Sequence, residues 1–239
     1  MSQLKPVLIV SCTKETKEKT TLYKSLERYN KTTVPQTGFT SKFNVKFIEN
    51  NNQSLSVNYN KFIDKKFLKK HDIILFIHDD VYIDDLECFS KLYSYIYEYK
   101  YDIVGVAGGS DVQVKKPALW HLMSKNRFGY ISHPSGDDIS EPNLRTIASF
   151  GPTPKRCLVV DGVFIGLNLA RAIDTGWRFN ESYDFHHYDL SSCIDANKLK
   201  LKIGVAPINI LHNSPGLKDY WDENYQQSER KFINEYGSK

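Results

Sequence analysis

The chain has 239 residues, enough for one large domain, and its apolar and charged fractions of 41% and 25% are ordinary for a globular protein. The formal net charge of +4 is mild and the lysines are scattered, which argues against binding of nucleic acid. With no apolar leader and no stretch long enough to cross a bilayer, the sequence predicts a soluble cytoplasmic protein, and peripheral attachment to a membrane is compatible with it.

The four cysteines, at positions 12, 88, 157 and 193, are far apart and form no metal-binding pair. Cys12 and Cys157 lie in apolar, strand-like runs, where a small buried thiol is the usual explanation. These spacings predict neither a zinc site nor a disulfide framework, and they favour a reducing compartment.

Strand-like and helix-like segments alternate along the first half of the chain. Apolar runs predict strands at residues 7–11, 45–48, 73–77 and 103–107, and amphipathic runs predict helices at 22–29, 55–68 and from about 85. Ser54 or Ser56 is a candidate cap for the second helix, and Asp84 and Asp85 are candidates for the third. The alternation predicts an α/β fold with a single, Rossmann-like, mostly parallel sheet flanked by helices.

The pattern changes after Gly109. Residues 110–155 mix Gly, Pro, Ser and Asp with aromatic side chains, which predicts a loop-rich wall of a binding site. Strand character returns at 158–165 and 201–211, and a helix-like tail covers 218–236. We predict one domain over residues 1–239, with a ligand-binding half at 1–109, a loop-rich half at 110–216 and a tail at 217–239.

The most informative segment is the apolar run 73–77, which ends at His78, Asp79 and Asp80. Consecutive apolar residues predict a strand buried on both faces, and ligands in open α/β sheets bind outside the carboxyl ends of such strands. Acidic side chains there suit a divalent cation, which in turn would hold phosphates. The alternative is an Asp-rich turn that caps the next helix, but two later aspartates are better placed for capping.

Several short motifs occur in the order found in GT-A glycosyltransferases of the family 2 type. The chain resembles a bacterial and viral subgroup of these enzymes whose metal motif is His-Asp-Asp-Val. The resemblance covers about residues 7–216 and includes Ser54-Leu55-Ser56, His78-Asp79-Asp80-Val81, Gly105-Val106-Ala107-Gly108, Val160-Asp161-Gly162-Val163-Phe164, Phe185-His186-His187-Tyr188-Asp189-Leu190 and Ile210-Leu211-His212-Asn213-Ser214. It implies the GT-A fold, with the nucleotide-sugar donor bound by residues 1–109 and the acceptor bound by the second half.

The sequence departs from the family pattern at three positions. His78 takes the place of the first acid of the Asp-x-Asp motif, and an imidazole binds Mn²⁺ but suits Mg²⁺ poorly. Tyr188 stands where a Glu is common, and Ser191 stands where an Asp is common.

The resemblance implies a divalent cation, Mn²⁺ or Mg²⁺, that bridges the diphosphate of a nucleoside diphosphate sugar and acts as a Lewis acid on the leaving group. We predict Asp80 and His212 as its ligands. The donor itself is predicted to contact Thr13, Glu49, His78 and Asp79. The alternatives are a backbone-bonded strand end for His212, turn roles for Thr13 and Glu49, and simple packing for His78.

Asp189 is the predicted general base for the acceptor hydroxyl, and Asp184 is the second candidate. A carboxylate among aromatic groups has a raised pKa, which suits this task, whereas the alternative for Asp189 is a helix N-cap. Trp120 and Asp161 are predicted to bind the acceptor. Their alternatives are a buried core position for Trp120 and a tight turn for Asp161.

Together these assignments predict a metal-dependent, inverting glycosyltransferase whose acceptor is a hydroxyl of a glycan, a lipid-linked sugar or a protein. The alternative is a nucleotide-sugar- or carbohydrate-binding module of the same fold without turnover, which the departures at Tyr188 and Ser191 favour. A nucleotidyltransferase would require a Gly-rich phosphate loop after the first strand, and residues 11–15 contain no glycine.

Overall fold

The computed structural model of the chain describes residues 4–32, 43–113, 115–134, 145–214 and 222–237. The strands of the first half are β1 (Val7–Cys12), β2 (Phe43–Ile48), β3 (Ile73–Ile77), β4 (Val81–Ile83), β5 (Ile103–Gly105) and β6 (Ala107–Gly109). Those of the second half are β7 (Arg127–Pro134), β8 (Arg145–Gly151), β9 (Lys155–Arg156), β10 (Val159–Val160), β11 (Phe164–Asn168), β12 (Ile203–Val205) and β13 (Ile210–His212).

The α-helices of the described ranges lie between these strands and at the end of the chain. They are α1 (Thr21–Thr32), α2 (Leu55–Asn60), α3 (Lys65–Leu68), α4 (Cys88–Tyr97), α5 (Trp120–Met123), α6 (Leu169–Thr175), α7 (Tyr188–Lys198) and α8 (Glu223–Tyr236). The predicted start of the helix-like tail lies outside the described residues.

Seven strands form the larger sheet, in the order β2-β1-β3-β11-β5-β12-β9. β1 pairs in parallel with both β2 and β3, so the carboxyl ends of these three strands meet at one edge. β11 runs antiparallel between β3 and β5. Every residue of β1 and β3 is buried, as expected for apolar strands covered on both faces.

A second, smaller sheet has the order β10-β6-β7-β13-β4, with β8 paired to β7. Within the described residues the chain passes from one sheet to the other at six short connectors. They are residues 78–80, Val106 and residues 152–154, 157–158, 161–163 and 206–209. The connectors after β3 and before β11 are adjacent, because Ile77 pairs with Phe164 and the His78 N–H donates to the Val163 carbonyl at 3.2 Å. The predicted site residues of 78–80 and of 161–163 therefore meet where the two sheets join.

The predicted α/β class is confirmed, but the sheet differs from the prediction in two ways. The described strands form two sheets instead of one, and three of the six pairings of the larger sheet are antiparallel. The sequence did not show this because a buried apolar run does not indicate strand direction. The predicted loop-rich stretch 110–155 contains β7 and β8, whose mixed polar and apolar residues reflect partial exposure.

Helix boundaries also differ from those expected. The predicted helix over 55–68 is two helices, and Ser54 caps the first by accepting a hydrogen bond from Val57 N–H. The helix expected from Asp85 begins at Cys88, and neither candidate aspartate is its N-cap. Asp84 instead pairs with Arg28 and Arg145.

The core is one continuous cluster that extends through the larger sheet and its helices. All four cysteines are buried within the described residues, which confirms the interpretation of Cys12 and Cys157 as buried thiols. Among the described helices, none combines the length and the apolar character that a membrane span requires.

The last helix, α8, packs against the segment that leads into α7. Phe232 is fully buried, with ring centroids 6.1 Å from Tyr183 and 5.6 Å from His187. Ser228 joins the same contact, because its hydroxyl bonds to His187 Nδ1 at 2.9 Å.

Phe232→Ala should lower the free energy of unfolding by about 3–5 kcal/mol, because it removes a buried ring and leaves a cavity. Urea unfolding followed by circular dichroism measures this change. Asn234→Ala on the exposed face of the same helix is the control and should change stability by less than about 0.5 kcal/mol. Equal effects of the two substitutions would mean that α8 does not pack as described.

Candidate functional site

Three side chains with metal-binding atoms converge where the two sheets join. His78 and Asp80 lie in the turn after β3, and His212 is the last residue of β13. One ligand atom of each lies within 4.8 Å of the others. His212 Nε2 is 3.3 Å from Asp80 Oδ2. The structure thus brings together both predicted metal ligands and His78, which was predicted to contact the donor.

Backbone pairing places His212 beside the turn after β3. β13 runs antiparallel to β4, and His212 lies opposite Val81 in that ladder. The Asn213 N–H donates to the Asp80 carbonyl at 2.9 Å and extends the pairing by one bond. Since β4 begins directly after Asp80, the ladder fixes the position of the histidine relative to the carboxylate.

The two carboxylate oxygens of Asp80 have different surroundings. Oδ2 faces His212, whereas Oδ1 has no hydrogen-bond partner among the described residues. Burial by itself would raise the pKa of Asp80, but the hydrogen bond with His212 and the charge of His212 hold it below its ordinary value. Burial would likewise lower the pKa of His212, but the hydrogen bond and charge of Asp80 raise it.

His78, Asp80 and His212, called the cation cluster below, form an arrangement that fits a divalent cation. A buried carboxylate oxygen left unpaired is costly, and a bound cation would satisfy it. Imidazole nitrogens and a carboxylate oxygen together are a common ligand set for divalent metals. Burial lowers the pKa of His78, although the charge of Asp80 opposes this effect, so its imidazole is neutral at pH 7 and has a lone pair to offer.

Tyr188 connects His78 to the connector before β11. Its buried hydroxyl donates to the Gly162 carbonyl at 2.7 Å and lies 3.1 Å from His78 Nε2. A Cβ at position 162 would lie 2.6 Å from the Tyr188 hydroxyl oxygen, so only glycine allows this approach. In the structure Gly162 thus makes room for the Tyr188 side chain.

Asp189 lies in the first turn of α7, one residue after Tyr188. Its Oδ2 accepts a hydrogen bond from Gly162 N–H and its Oδ1 accepts one from Leu190 N–H, each at 2.8 Å. Burial and then the charge of Asp161 raise the pKa of Asp189 to about 7, although the backbone N–H groups oppose the shift. His187 is the N-cap of α7, so Asp189 does not have the capping role considered as its alternative.

Asp161 precedes Gly162 in the connector before β11. Its Oδ1 accepts a hydrogen bond from Val163 N–H at 3.0 Å, which is the tight turn considered for it. The same carboxylate also acts on the site, because its charge raises the pKa values of Asp189 and His212. The sequence identified the residue, but its electrostatic effect on Asp189 follows from the fold.

The predicted donor-binding residues Thr13, Glu49 and Asp79 follow the carboxyl ends of β1, β2 and β3. The Thr13 hydroxyl accepts a hydrogen bond from Glu15 N–H at 3.2 Å, and Glu49 Oε1 accepts one from Lys17 N–H at 2.8 Å. Both residues therefore have the turn roles considered as alternatives. Their parallel strands also place them at the sheet edge where His78 lies.

Trp120, predicted to bind the acceptor, is buried, and Asp184, the second candidate for the general base, is exposed. Trp120 is only 4% exposed and packs against Phe150, with 5.5 Å between ring centroids, which corresponds to the core role considered as its alternative. Burial leaves little of the indole face to stack on a sugar. Asp184 is exposed, and its backbone carbonyl accepts a hydrogen bond from Leu55 N–H at 3.1 Å.

Two further side chains border the cation cluster. The His133 ring, near the end of β7, lies 5.8 Å from that of His212, and burial lowers its pKa. Phe185 is 51% exposed and stacks on His78 with 5.7 Å between ring centroids. Sequence reasoning missed His133 because it falls in a stretch predicted to be loop. Phe185 stood in a recognised motif, but only the fold shows that it contacts His78.

The chain matches the family described as "Glycosyltransferase like family" over residues 9–236. It belongs to that family. The match includes the cation cluster and Asp189, and it confirms the prediction that the chain is a glycosyltransferase. No curated protein sequence matches the chain.

Solved structures with similar folds include GT-A glycosyltransferases, which confirms the predicted fold. TarS from S. aureus, residues 1–349 in complex with UDP, is 12% identical and superposes with a TM-score of 0.50, covering 97% of this chain and 70% of that one. The mannosyltransferase PcManGT from Pyrobaculum calidifontis, in complex with GDP-Man and Mn2+, is 7% identical with a TM-score of 0.53, covering 98% of this chain and 64% of that one.

Asp161→Asn should lower the pKa of Asp189 from about 7 by on the order of one pH unit, because a neighbouring negative charge is removed. The asparagine amide oxygen can still accept the Val163 N–H bond, so the turn is kept. Carbon-13 NMR titration of the aspartate carboxyl groups measures the shift.

Asp184→Asn, which removes an exposed charge near the same segment, is the matched control and should leave the pKa of Asp189 unchanged. If Asp161→Asn also left it unchanged, burial alone would account for the raised pKa.

Proposed function

We propose that the protein is a metal-dependent, inverting glycosyltransferase that moves a sugar from a nucleoside diphosphate sugar to a hydroxyl of a glycan, a lipid-linked sugar or a protein. One observation carries this proposal: a cation cluster and a carboxylate with a pKa of about 7 border the same junction of the two sheets. Leaving-group stabilisation and acceptor deprotonation, the two requirements of glycosyl transfer, each have a candidate group there.

Asp80 and His212 would hold the cation, together with His78. A bound cation supplies Lewis-acid stabilisation of the negative charge that develops on the leaving diphosphate. The unpaired Asp80 Oδ1 and the neutral His78 imidazole support this assignment. Phe185 and His133 border the cluster and would limit the access of water to it.

Asp189 would act as the general base. The Gly162 and Leu190 N–H groups orient its carboxylate, and its raised pKa makes it a competent proton acceptor near neutral pH. It would take the proton of the acceptor hydroxyl as that oxygen attacks the anomeric carbon from the face opposite the diphosphate. Such a single displacement inverts the anomeric centre and requires no covalent intermediate.

Donor binding would use the edge formed by β1, β2 and β3, with Thr13, Glu49 and Asp79 nearest the nucleotide. Structures similar in fold were solved with UDP in one case and with GDP-Man and Mn2+ in the other, which supports a nucleoside diphosphate donor and a divalent cation. Asp161 would bind the acceptor near Asp189. A cytoplasmic location and peripheral contact with a membrane that carries lipid-linked acceptors complete the proposal.

Asp80→Asn should reduce affinity for the donor in Mn²⁺ to the level that the native protein shows in EDTA, because a neutral amide is a poor ligand for a divalent cation. Calorimetric titration with UDP, GDP and their common sugar conjugates measures the affinity. Asp174→Asn, an exposed acid on α6, is the control and should bind as the native protein does. Donor affinity that remains high and Mn²⁺-dependent in Asp80→Asn would remove Asp80 from the cation site.

Asp189→Asn should leave donor binding intact while turnover falls by about 10²–10⁴, the usual contribution of a positioned base. In the native enzyme only the ionised carboxylate accepts a proton, so kcat/KM should fall about tenfold per pH unit below about 7 and level off above it. Steady-state kinetics between pH 5 and 9 would follow both effects.

Near-native turnover in Asp189→Asn would transfer the base role to another acid, with Asp184→Asn as the next variant. Donor binding by the native protein without any turnover on an acceptor panel would favour the binding module over the enzyme.

A further inference from the structure

The cation cluster contains a histidine where an acid is common, and His78 has a partner that determines which of its nitrogens is free. From this geometry we infer that His78 binds the cation through Nδ1 and that Tyr188 is the positioning residue for His78. The site therefore has two histidine ligands and one carboxylate ligand. Such a site binds Mn²⁺ and similar transition metals more tightly than Mg²⁺. The inference rests on the cation site of the proposed function and adds its metal specificity.

The hydrogen bonds around Tyr188 assign the proton on His78. The Gly162 carbonyl can only accept, so the single hydroxyl proton of Tyr188 is donated to it. The Tyr188 oxygen must then accept from His78, which places the proton of the neutral imidazole on Nε2. Nδ1 keeps the lone pair and is the nitrogen that can ligate. Metal-bound histidines generally donate their other ring N–H to an oxygen of a carboxylate, a backbone carbonyl or a water, and here the Tyr188 oxygen would take that place.

Packing holds the His78 ring in this orientation. Phe185 and Tyr188 stack against the imidazole, with interplanar angles of 28° and 27°. Tyr188 is itself buried against Tyr59 and Phe179, with ring centroids 6.1 Å and 5.9 Å away. Because Gly162 has no side chain, the Tyr188 hydroxyl reaches both of its partners without displacing the backbone.

The ligand set determines the preferred metal. Mg²⁺ demands a nearly ideal octahedron and prefers oxygen ligands, so two imidazoles suit it poorly. Mn²⁺, Co²⁺ and Zn²⁺ accept mixed nitrogen and oxygen ligands. With His78, His212 and Asp80 as ligands, the site would offer an ion two imidazole nitrogens and one carboxylate oxygen.

The test uses the 239-residue protein and metal alone. Calorimetry should show Mn²⁺ binding at least about tenfold tighter than Mg²⁺. Tyr188→Phe keeps the ring and removes the hydroxyl, and it should weaken Mn²⁺ binding by about 10–100-fold, as expected when the partner of a ligating histidine is lost. Tyr183→Phe removes another buried hydroxyl, one bonded to Glu235, and is the matched control that should bind Mn²⁺ as the native protein does.

His78→Asp provides a second test that does not depend on Tyr188. The substitution should reduce the ratio of the affinity for Mn²⁺ to the affinity for Mg²⁺, because it exchanges a nitrogen ligand for an oxygen ligand. Electron spin-echo spectra of bound Mn²⁺ should also lose part of their nitrogen coupling in this variant, whereas a purely structural role of His78 would leave the coupling unchanged.

Native protein that binds Mg²⁺ as tightly as Mn²⁺, or nitrogen coupling that is unchanged in His78→Asp, would overturn the inference. Unaltered Mn²⁺ affinity in Tyr188→Phe would overturn the role of Tyr188. None of these measurements contains a nucleotide, so a Mn²⁺-selective protein that fails to bind any nucleotide sugar would refute the proposed function alone.

Discussion

Backbone pairing at the junction of the two sheets is the constraint on which the rest of the structure depends. The chain crosses between the sheets at connectors of one to four residues, and the His78 N–H bond to Val163 joins two of them. Connectors this short cannot move independently of the strands that they join. The side chains that they carry, including Asp80 and Asp161, are therefore held in place before any ligand arrives. Preorganised charged groups of this kind are what electrostatic catalysis requires.

At the junction, two carboxylates have different environments, which shift their pKa values in opposite directions and suit them to different tasks. Asp80 faces two imidazoles, which keep it ionised and suited to a cation. Asp189 is buried near the negative charge of Asp161, which raises its pKa and suits it to accept a proton. Environments that push the pKa values of neighbouring acids apart are a recurring way to assign acid–base roles within one site. The connector before β11 acts on Asp189 in two opposite ways, because the charge of Asp161 raises its pKa whereas the hydrogen bond from Gly162 N–H lowers it.

Tyr188 stands where the resemblance leads us to expect a glutamate, and its hydrogen bonds give the tyrosine a physical role. A glutamate at this buried position would need a partner for its charge, whereas the phenol donates to the Gly162 carbonyl and accepts from His78. The tyrosine and the histidine are thus complementary, because each satisfies a hydrogen-bonding group of the other. This pairing weakens the argument that the tyrosine marks a site without turnover.

The sequence by itself determined the buried strand at 73–77, the acids that follow it and the order of the family motifs. These features depend on local composition, so His78, Asp80 and Asp189 could be named from it. Tertiary structure decided what depends on distant pairing: the antiparallel insertion of β11, the second sheet and the burial of Trp120. The contact of Tyr188 with His78 also depends on distant pairing. Apolar periodicity predicts burial, but it carries no information about strand direction or long-range partners.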